Sequence, residues 1–333
     1  DPARARALLS LTWRQESSDF KARVVPLLGL GLGAEDEPLL EEALNERRQD
    51  IRADAAEILA RLPRSAFRAR ALERACRYLA VAGGTLAITL PDAFDPSWQR
   101  DGIVEKASPA GSAIGPRAWW LLQMLRHAPA RELRERLTVS GEAWVALART
   151  TEYGTPFMES IALAACLDND GDTLTALLAA AAETLEDDDL FMRIVESAPT
   201  GPAESCLARL VQHPALWFEP RSRPALALRE VRRTWSIGLG RAALGALRAA
   251  VNASPVEPAH FAGINVILWH MALRMPASLC AEAATDWPRN GETWASWEWL
   301  ITDFLAKVQF RHDMLSALDA SAAEAAAIAT RPA

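Results

Sequence analysis

Apolar residues recur along this chain at helical spacing in short blocks, and proline, glycine or a small polar residue stands at nearly every block's end. The clearest block runs from Asp36 to Pro63, DEPLLEEALNERRQDIRADAAEILARLP. Leu39, Leu40, Ala43 and Leu44 share one face of a first helix, and Ile51, Ala55, Ile58, Leu59 and Leu62 share one face of a second. Neither helix buries its stripe alone. Sliding the chain so that Asp19 lies on Asp50 also lays Phe20-Lys21-Ala22 on Ile51-Arg52-Ala53, Leu27-Leu28 on Ile58-Leu59, Leu8-Leu9 on Leu39-Leu40 and Trp13 on Leu44. Two helical hairpins in one register are the mark of a solenoid, in which each unit completes its core against its neighbour.

Residues 1–82 therefore read as N-terminal helical repeats, with hairpins ending near Gly33 and Pro63. A further helix, capped by Ser65, runs to about Val81 and carries Arg70, Arg74 and Arg77 on one face. Gly29, Gly31 and Gly33 follow a helical face rather than a strand, so they mark a helix end and not a dinucleotide loop. Residues 83–116 break the pattern. Gly83-Gly84, the β-branched run Thr85–Leu90, repeated prolines, and Phe94, Trp98, Ile103 and Val104 as anchors predict a short strand and a long ordered loop inserted between helices.

Residues 117–333 continue the helical array. Helices are predicted from Arg117, over Ser140–Thr150, Pro156–Leu167, Asp172–Leu185, Asp188–Ala198 and Ala203–Gln212, then over Pro258–Arg274, Ala277–Trp287 and Glu292 to about Ala327. Between them a long element, Pro224–Val251, contains Gly238, Gly240 and Gly245, which predict a kink or split. The expected fold is all-α: an α-solenoid of helical hairpins with one loop and short-strand insertion, which the family resemblance given below makes HEAT-like. It forms one continuous domain that begins inside a repeat, as a piece of a longer chain would.

Composition supports helix. Half of the 333 residues are hydrophobic, and only two tyrosines are present. Lysine occurs only at Lys21, Lys106 and Lys307, so nearly all positive charge is arginine. The net charge of −7 is unevenly placed: an acidic segment from Asp168 to Glu204 precedes a basic one from Arg221 to Arg248. Either these are neighbouring helix faces that pair, or they form a bipolar surface for a charged partner. Cys76, Cys166, Cys206 and Cys280 lack metal spacing and sit among apolar residues, which predicts buried free thiols and a reducing, cytoplasmic setting. No signal segment and no apolar run near membrane-spanning length is visible.

No motif carries catalytic spacing. Serines lack a nucleophile elbow, and no phosphate loop exists. His127, His213, His260, His270 and His312 are isolated, and His270 is expected to be a satisfied core imidazole. The acidic run Glu186–Asp189 lacks calcium-loop spacing and reads as a solvated face and helix cap. Neither metal nor cofactor is expected. The densest set of contact-forming groups is Asp95, Trp98, Arg100, Asp101, Arg117 and Trp120, with Trp119 beside them, and these are the binding candidates. Arg117 follows Gly115-Pro116 at a helix start, where an anion is readily held. The opposing expectation is that Arg117 pairs with Asp101 to pin the loop while the tryptophans fill the core. Trp287, Trp294, Trp297 and Trp299 form a second aromatic concentration, suited either to core packing or to protein recognition.

Asp36-Glu-Pro-Leu-Leu-Glu-Glu-Ala-Leu44, Arg47-Arg48, Ala55-Ala-Glu-Ile-Leu-Ala-Arg-Leu-Pro63, and Asp101-Gly102 followed by Arg117-Ala-Trp-Trp-Leu-Leu-Gln123 resemble a bacterial family of unknown function. Its members are similar to HEAT-repeat proteins and are often encoded beside a SWIM zinc-finger protein and a MoxR-type AAA+ ATPase. The resemblance extends from near residue 1 to Leu318. It carries over no catalytic residue and implies a helical scaffold in a multi-protein system. The expected function is a non-catalytic, cytoplasmic scaffold that binds another protein through a concave face and the inserted loop. A DNA-binding or DNA-glycosylase-type protein is the second expectation, from the arginine stripes at 70, 74, 77 and 229, 232, 233, although overall acidity opposes a nucleic-acid partner. Anion binding at Arg117 is the third. Oligomeric state is left open.

Overall fold

A computed structural model describes residues 2–106, 114–180, 185, 187–213, 215–289 and 291–329. Pro109 and Gly111 of the insertion and Glu183 and Glu186 of the acidic segment lie outside the described residues. The chain gathers into two compact units, Asp1–Leu190 and Phe191–Ala333. Apart from one two-stranded hairpin, every regular element among the described residues is helical, so the all-α class holds.

The first unit contains α1 (Pro2–Thr12), α2 (Ser18–Val24), α3 (Glu37–Ala43), α4 (Gln49–Arg61), α5 (Ala66–Cys76), β1 (Leu79–Ala82), β2 (Thr85–Ile88), α6 (Pro96–Arg100), α7 (Pro116–His127), α8 (Ala130–Leu137), α9 (Gly141–Arg149), α10 (Gly154–Asp168) and α11 (Gly171–Ala180). Its N-terminal core is the one the repeat pattern predicts: Trp13, Val25, Leu39, Leu40, Ala43, Leu44, Ile51, Ala55 and Leu59 are all buried. Trp13 and Leu44, which the register superimposes, are both inside. So are the basic pair Lys21 and Arg52. Lys21 Nζ bonds Glu46 at 2.8 Å, and Arg52 donates to the carbonyls of Glu46, Arg47 and Gln99. Lys21 thus ion-pairs with a carboxylate of the turn after α3, while Arg52 donates to backbone carbonyls of that turn and of α6, and these partners are why both tolerate burial. The register is imperfect at Leu8 and Leu27, which stay exposed where Leu39 and Ile58 are buried.

Three local expectations change. Leu79–Ala82 is a strand, not the end of a helix. It pairs antiparallel with β2, Leu79 opposite Ile88 and Ala82 opposite Thr85. Gly83 and Gly84 have φ of 58° and 76°, the left-handed pair that a two-residue hairpin turn requires. The loop after it contains one helical turn, α6, opened by Asp95, whose Oδ1 accepts from Ser97 N at 2.9 Å, with Pro96 next. Ser65 caps α5 as expected, accepting from Arg68 N.

The second unit holds most of α12 (Asp188–Ser197), then α13 (Thr200–Val211), α14 (Ala215–Phe218), α15 (Arg223–Glu230), α16 (Ile237–Ala253), α17 (Phe261–Arg274), α18 (Cys280–Ala283) and α19 (Glu292–Ala329). The long element predicted from Pro224 is split, but at residues 231–236 and not at a glycine. Ser236 restarts the helix by accepting from Leu239 N. Gly240 serves packing instead: a Cβ there would stand 2.5 Å from Leu279 Cδ1. The core of this unit joins Leu244 and Leu247 of α16, Ile264, Leu268 and Met271 of α17, and Trp297, Leu300, Ile301 and Phe304 of α19. The four cysteines are free, three of them buried and Cys76 half-buried. No single helix among the described residues is long and apolar enough to cross a membrane.

Candidate functional site

Of the six predicted site residues, Trp98, Asp101 and Trp120 are buried, Arg100 is half-buried beside Asp101, and Asp95 and Arg117 are exposed. Trp98, Ile103, Trp120 and Met124 form a buried cluster flanked by Phe94, Tyr78 and Trp119. Phe94, Trp98 and Trp120 meet edge to face at 5.4–6.3 Å between centroids. Trp120 Nε1 donates to Glu105 O, and the Gln123 side-chain amide pairs with both backbone groups of Val104, so residues 104–105 are laced to α7. Gly102, at φ 82°, lies against α4, where a Cβ would come 3.3 Å from Ala56 Cβ.

Asp101 is the electrostatic centre of this region. It is 3% exposed and accepts from Arg70, Arg74 and Arg100, at 2.7 Å from Arg74. Burial pushes its carboxyl up, but hydrogen bonds from Arg70 and Arg74 outweigh that, and it titrates below the usual carboxylate range. Glu41 accepts from Arg70 and Arg100 in turn, and Arg100 also reaches Asn45. Two carboxylates and three guanidinium groups therefore clasp α6 onto α3 and α5.

Arg117 does not join them. Its guanidinium donates to the carbonyls of Leu90 and Pro91 and to Asp92 at 2.9 Å, so the expected pairing with Asp101 is replaced by a bond across the other end of the insertion. The reason is proximity: Asp101 already has three arginines from closer elements. Asp95 is a helix cap. Among the described residues, no group of three or more His, Cys, Asp or Glu side chains converges as a metal site.

The arginine stripes resolve in the same manner. Arg70 and Arg74 face Asp101, while Arg233 donates to the carbonyls of Val195, Glu196 and Ala198. Glu196 and Glu204 of the acidic segment accept from the backbone of Arg232 and Ser236 in the basic one, whereas Asp168 and Asp170 pair with Arg68 and Arg134. Asp187 accepts from Leu190 N, the expected helix cap. His270 is not the satisfied core imidazole expected: it is half-buried, edge-on to Trp269, and its Nδ1 has no hydrogen-bond partner. Burial, with Arg274 and Arg229 nearby, pushes its pKa down.

Open, unpartnered surface is found elsewhere, on α17 and α19. These helices lie side by side in the same direction, Phe261 against Trp299 at 5.1 Å near their starts and Trp269 and Leu273 beside Phe310 and Met314 further on. α17 has a second apolar stripe beside its buried one: Val266, Trp269 and Leu273 are 42–47% exposed. On α19 the last buried side chain among the described residues is Val308, and Phe310, Met314 and Leu318 are 71%, 42% and 59% exposed at four-residue spacing. Between the two helices lies a groove of about 480 Å³ lined by Trp269, Ala272, Leu273, Ala306, Phe310 and Met314, with Lys307 and Arg311. Of the second tryptophan concentration, Trp297 and Trp287 are buried and Trp299 is 55% exposed. The signal for this surface in the sequence is that α17 is apolar on two faces and that Ala306, Phe310, Met314 and Leu318 recur every fourth residue, a pattern that a fully buried helix shares.

The model of a family of unknown function (DUF5691) matches residues 1–318. No curated protein and no solved structure matches the chain. With the match running through both compact units, including α6, α7, α17 and most of the described part of α19, the chain belongs to that family.

Proposed function

We infer that this protein is a non-catalytic helical-repeat scaffold that binds another protein. The observation that carries the reading is the exposed apolar surface of α17 and α19, because contiguous apolar side chains of this size mark interaction sites on folded proteins. The helical-hairpin architecture suits such a role, since each repeat adds surface without adding a catalytic pocket. The insertion contributes rigidity more than contact: Trp98 is buried, Phe94 packs against it, and Arg100 and Asp101 already have partners. The same internal pairing weakens the nucleic-acid reading, because Arg70, Arg74 and Arg233 are engaged by the protein itself. Arg117, committed to Leu90, Pro91 and Asp92, gives the anion reading little support. The family resemblance suggests a bacterial, cytoplasmic setting and an AAA+ ATPase system as the source of the partner.

Site-specific photo-crosslinking in the native host tests this. A crosslinker replacing Phe310 or Trp269 is expected to give a discrete adduct with one other protein chain, identified by mass spectrometry. A set of positions that includes Phe310, Trp269, Leu318 and the exposed Asp92, none of which yields an adduct, would remove the scaffold reading.

A further inference from the structure

We propose that the α17/α19 groove receives an amphipathic helix with an aliphatic or aromatic stripe flanked by acidic residues, a proposal that rests on the scaffold reading. The shape argues for a helix. The floor and walls are two rows of side chains at three- and four-residue spacing, Trp269, Ala272 and Leu273 on one side and Ala306, Phe310 and Met314 on the other. Such rows leave a furrow into which the ridge of a third helix packs. The described C-terminal part of α19 strengthens this: from Gln309 to Ser321 no side chain is buried, yet Phe310, Met314 and Leu318 continue the apolar row. A partner helix lying on α17 also covers that row.

Charge selects the flanks. The groove is lined by Lys307 and Arg311 and by no carboxylate. Lys307 is paired with Asp303 one turn back. Arg311 donates to the carbonyl of Met275, a neutral acceptor, so its charge is left for a partner to balance. An acidic residue flanking the incoming stripe meets Arg311 beside Phe310, at the rim of an apolar contact where charge decides which partner docks. A basic flank brings like charges together at the same place.

Two synthetic peptides with one apolar stripe, one flanked by glutamate and one by lysine, test this by calorimetric titration onto the whole chain. The acidic peptide is expected to bind at least tenfold tighter than the basic one at low salt, with the difference shrinking as salt rises. Phe310→Asp, at a position 71% exposed, is expected to abolish binding while leaving the melting temperature unchanged. Arg311→Glu is expected to reverse the preference between the peptides. Lys307→Glu does the same if Arg311→Glu proves unstable. Equal binding of both peptides, or no reversal in either charge variant, overturns the acidic flank. Binding of neither peptide overturns the helix, as does concentration-dependent dimerisation that Phe310→Asp abolishes, which assigns the groove to a second copy. Adducts with another protein from other surface positions would then leave the scaffold reading intact, whereas their absence as well would remove both.

Discussion

The insertion around Asp101 and the face made by α17 and α19 are opposites. The insertion is rich in the residue types that bind ligands, and nearly all of them are turned inward: three arginines on one buried aspartate, three aromatic rings in contact, a glutamine amide laced to a loop. The α17/α19 face is chemically plain, yet its Trp269, Phe310 and Leu318 remain 45%, 71% and 59% exposed. A concentration of charged and aromatic residues in a loop therefore reflects what an irregular segment needs in order to stay ordered without a helix ladder. Exposure without a partner is the better guide to a surface that meets another molecule.

Substitutions can break this contrast. The largest effect on folding is expected from Asp101→Ala, which leaves Arg70, Arg74 and Arg100 facing one another; loss of one member of a buried ion network costs about 3–5 kcal/mol. Denaturant unfolding of the variant measures it, and a loss below 1 kcal/mol would mean that the three arginines find solvent without strain. Trp98→Ala, which empties part of the aromatic cluster, is expected to cost about 3–5 kcal/mol by the same assay.

Acid provides the next test. Burial, with a contribution from Arg126, pushes the pKa of His127 down to about 4, against about 6.5 in an unfolded chain. Between those values the unfolded chain takes up a proton that the folded one refuses. The stability contributed by the neutral ring is thus complete above pH 6.5 and is lost as pH falls toward 4, by up to about 3 kcal/mol. His127→Phe, which retains an aromatic ring beside Phe67, is expected to flatten that part of the stability profile. Asp101 and Asp170, both held below their ordinary values, add their own losses at lower pH.

Smaller effects follow. Ser65→Ala removes the cap of α5 and the donor to Leu59 O, at a cost of about 1 kcal/mol. Phe310→Ser should change stability by less than about 0.5 kcal/mol, as exposed positions do, while removing the photo-crosslinked adduct. If instead Phe310→Ser destabilises the fold as much as Ser65→Ala does, the side chain is structural and the contrast between the two regions fails.

Much of this fold was legible in the sequence because it rests on periodicity. The matched hairpins, the Ser65 cap and the buried Trp13 and Leu44 all follow from spacing and from cap chemistry. What failed has physical causes. Leu79–Ala82 is apolar enough to extend a helix, and only the two glycines after it make it a strand. The break before α16 comes from Ser236 restarting a helix, whereas Gly240 marks a close approach that only the tertiary structure reveals. Arg117 lies apart from Asp101, and the orientation of Arg100 and Asp101 depends on Arg70, Arg74 and Glu41, partners from distant helices that spacing does not reveal. The abundance of arginine also acquires a use. Arg52, Arg61, Arg68, Arg248 and Arg274 each reach carbonyls of another segment, a task for which a forked planar donor serves better than an ammonium.

The pairing of Gln123 with Val104 has a kinetic consequence. A side-chain amide that both donates to the C=O and accepts from the N–H of one residue substitutes for a neighbouring strand, and it sits 6% exposed in the middle of α7. The Val104 amide can exchange its proton with solvent only when that contact opens, and the contact shares its helix with buried Trp120 and Met124. In hydrogen exchange, Val104 is expected to behave as a member of the α7 cooperative unit, with slow exchange in an otherwise irregular stretch.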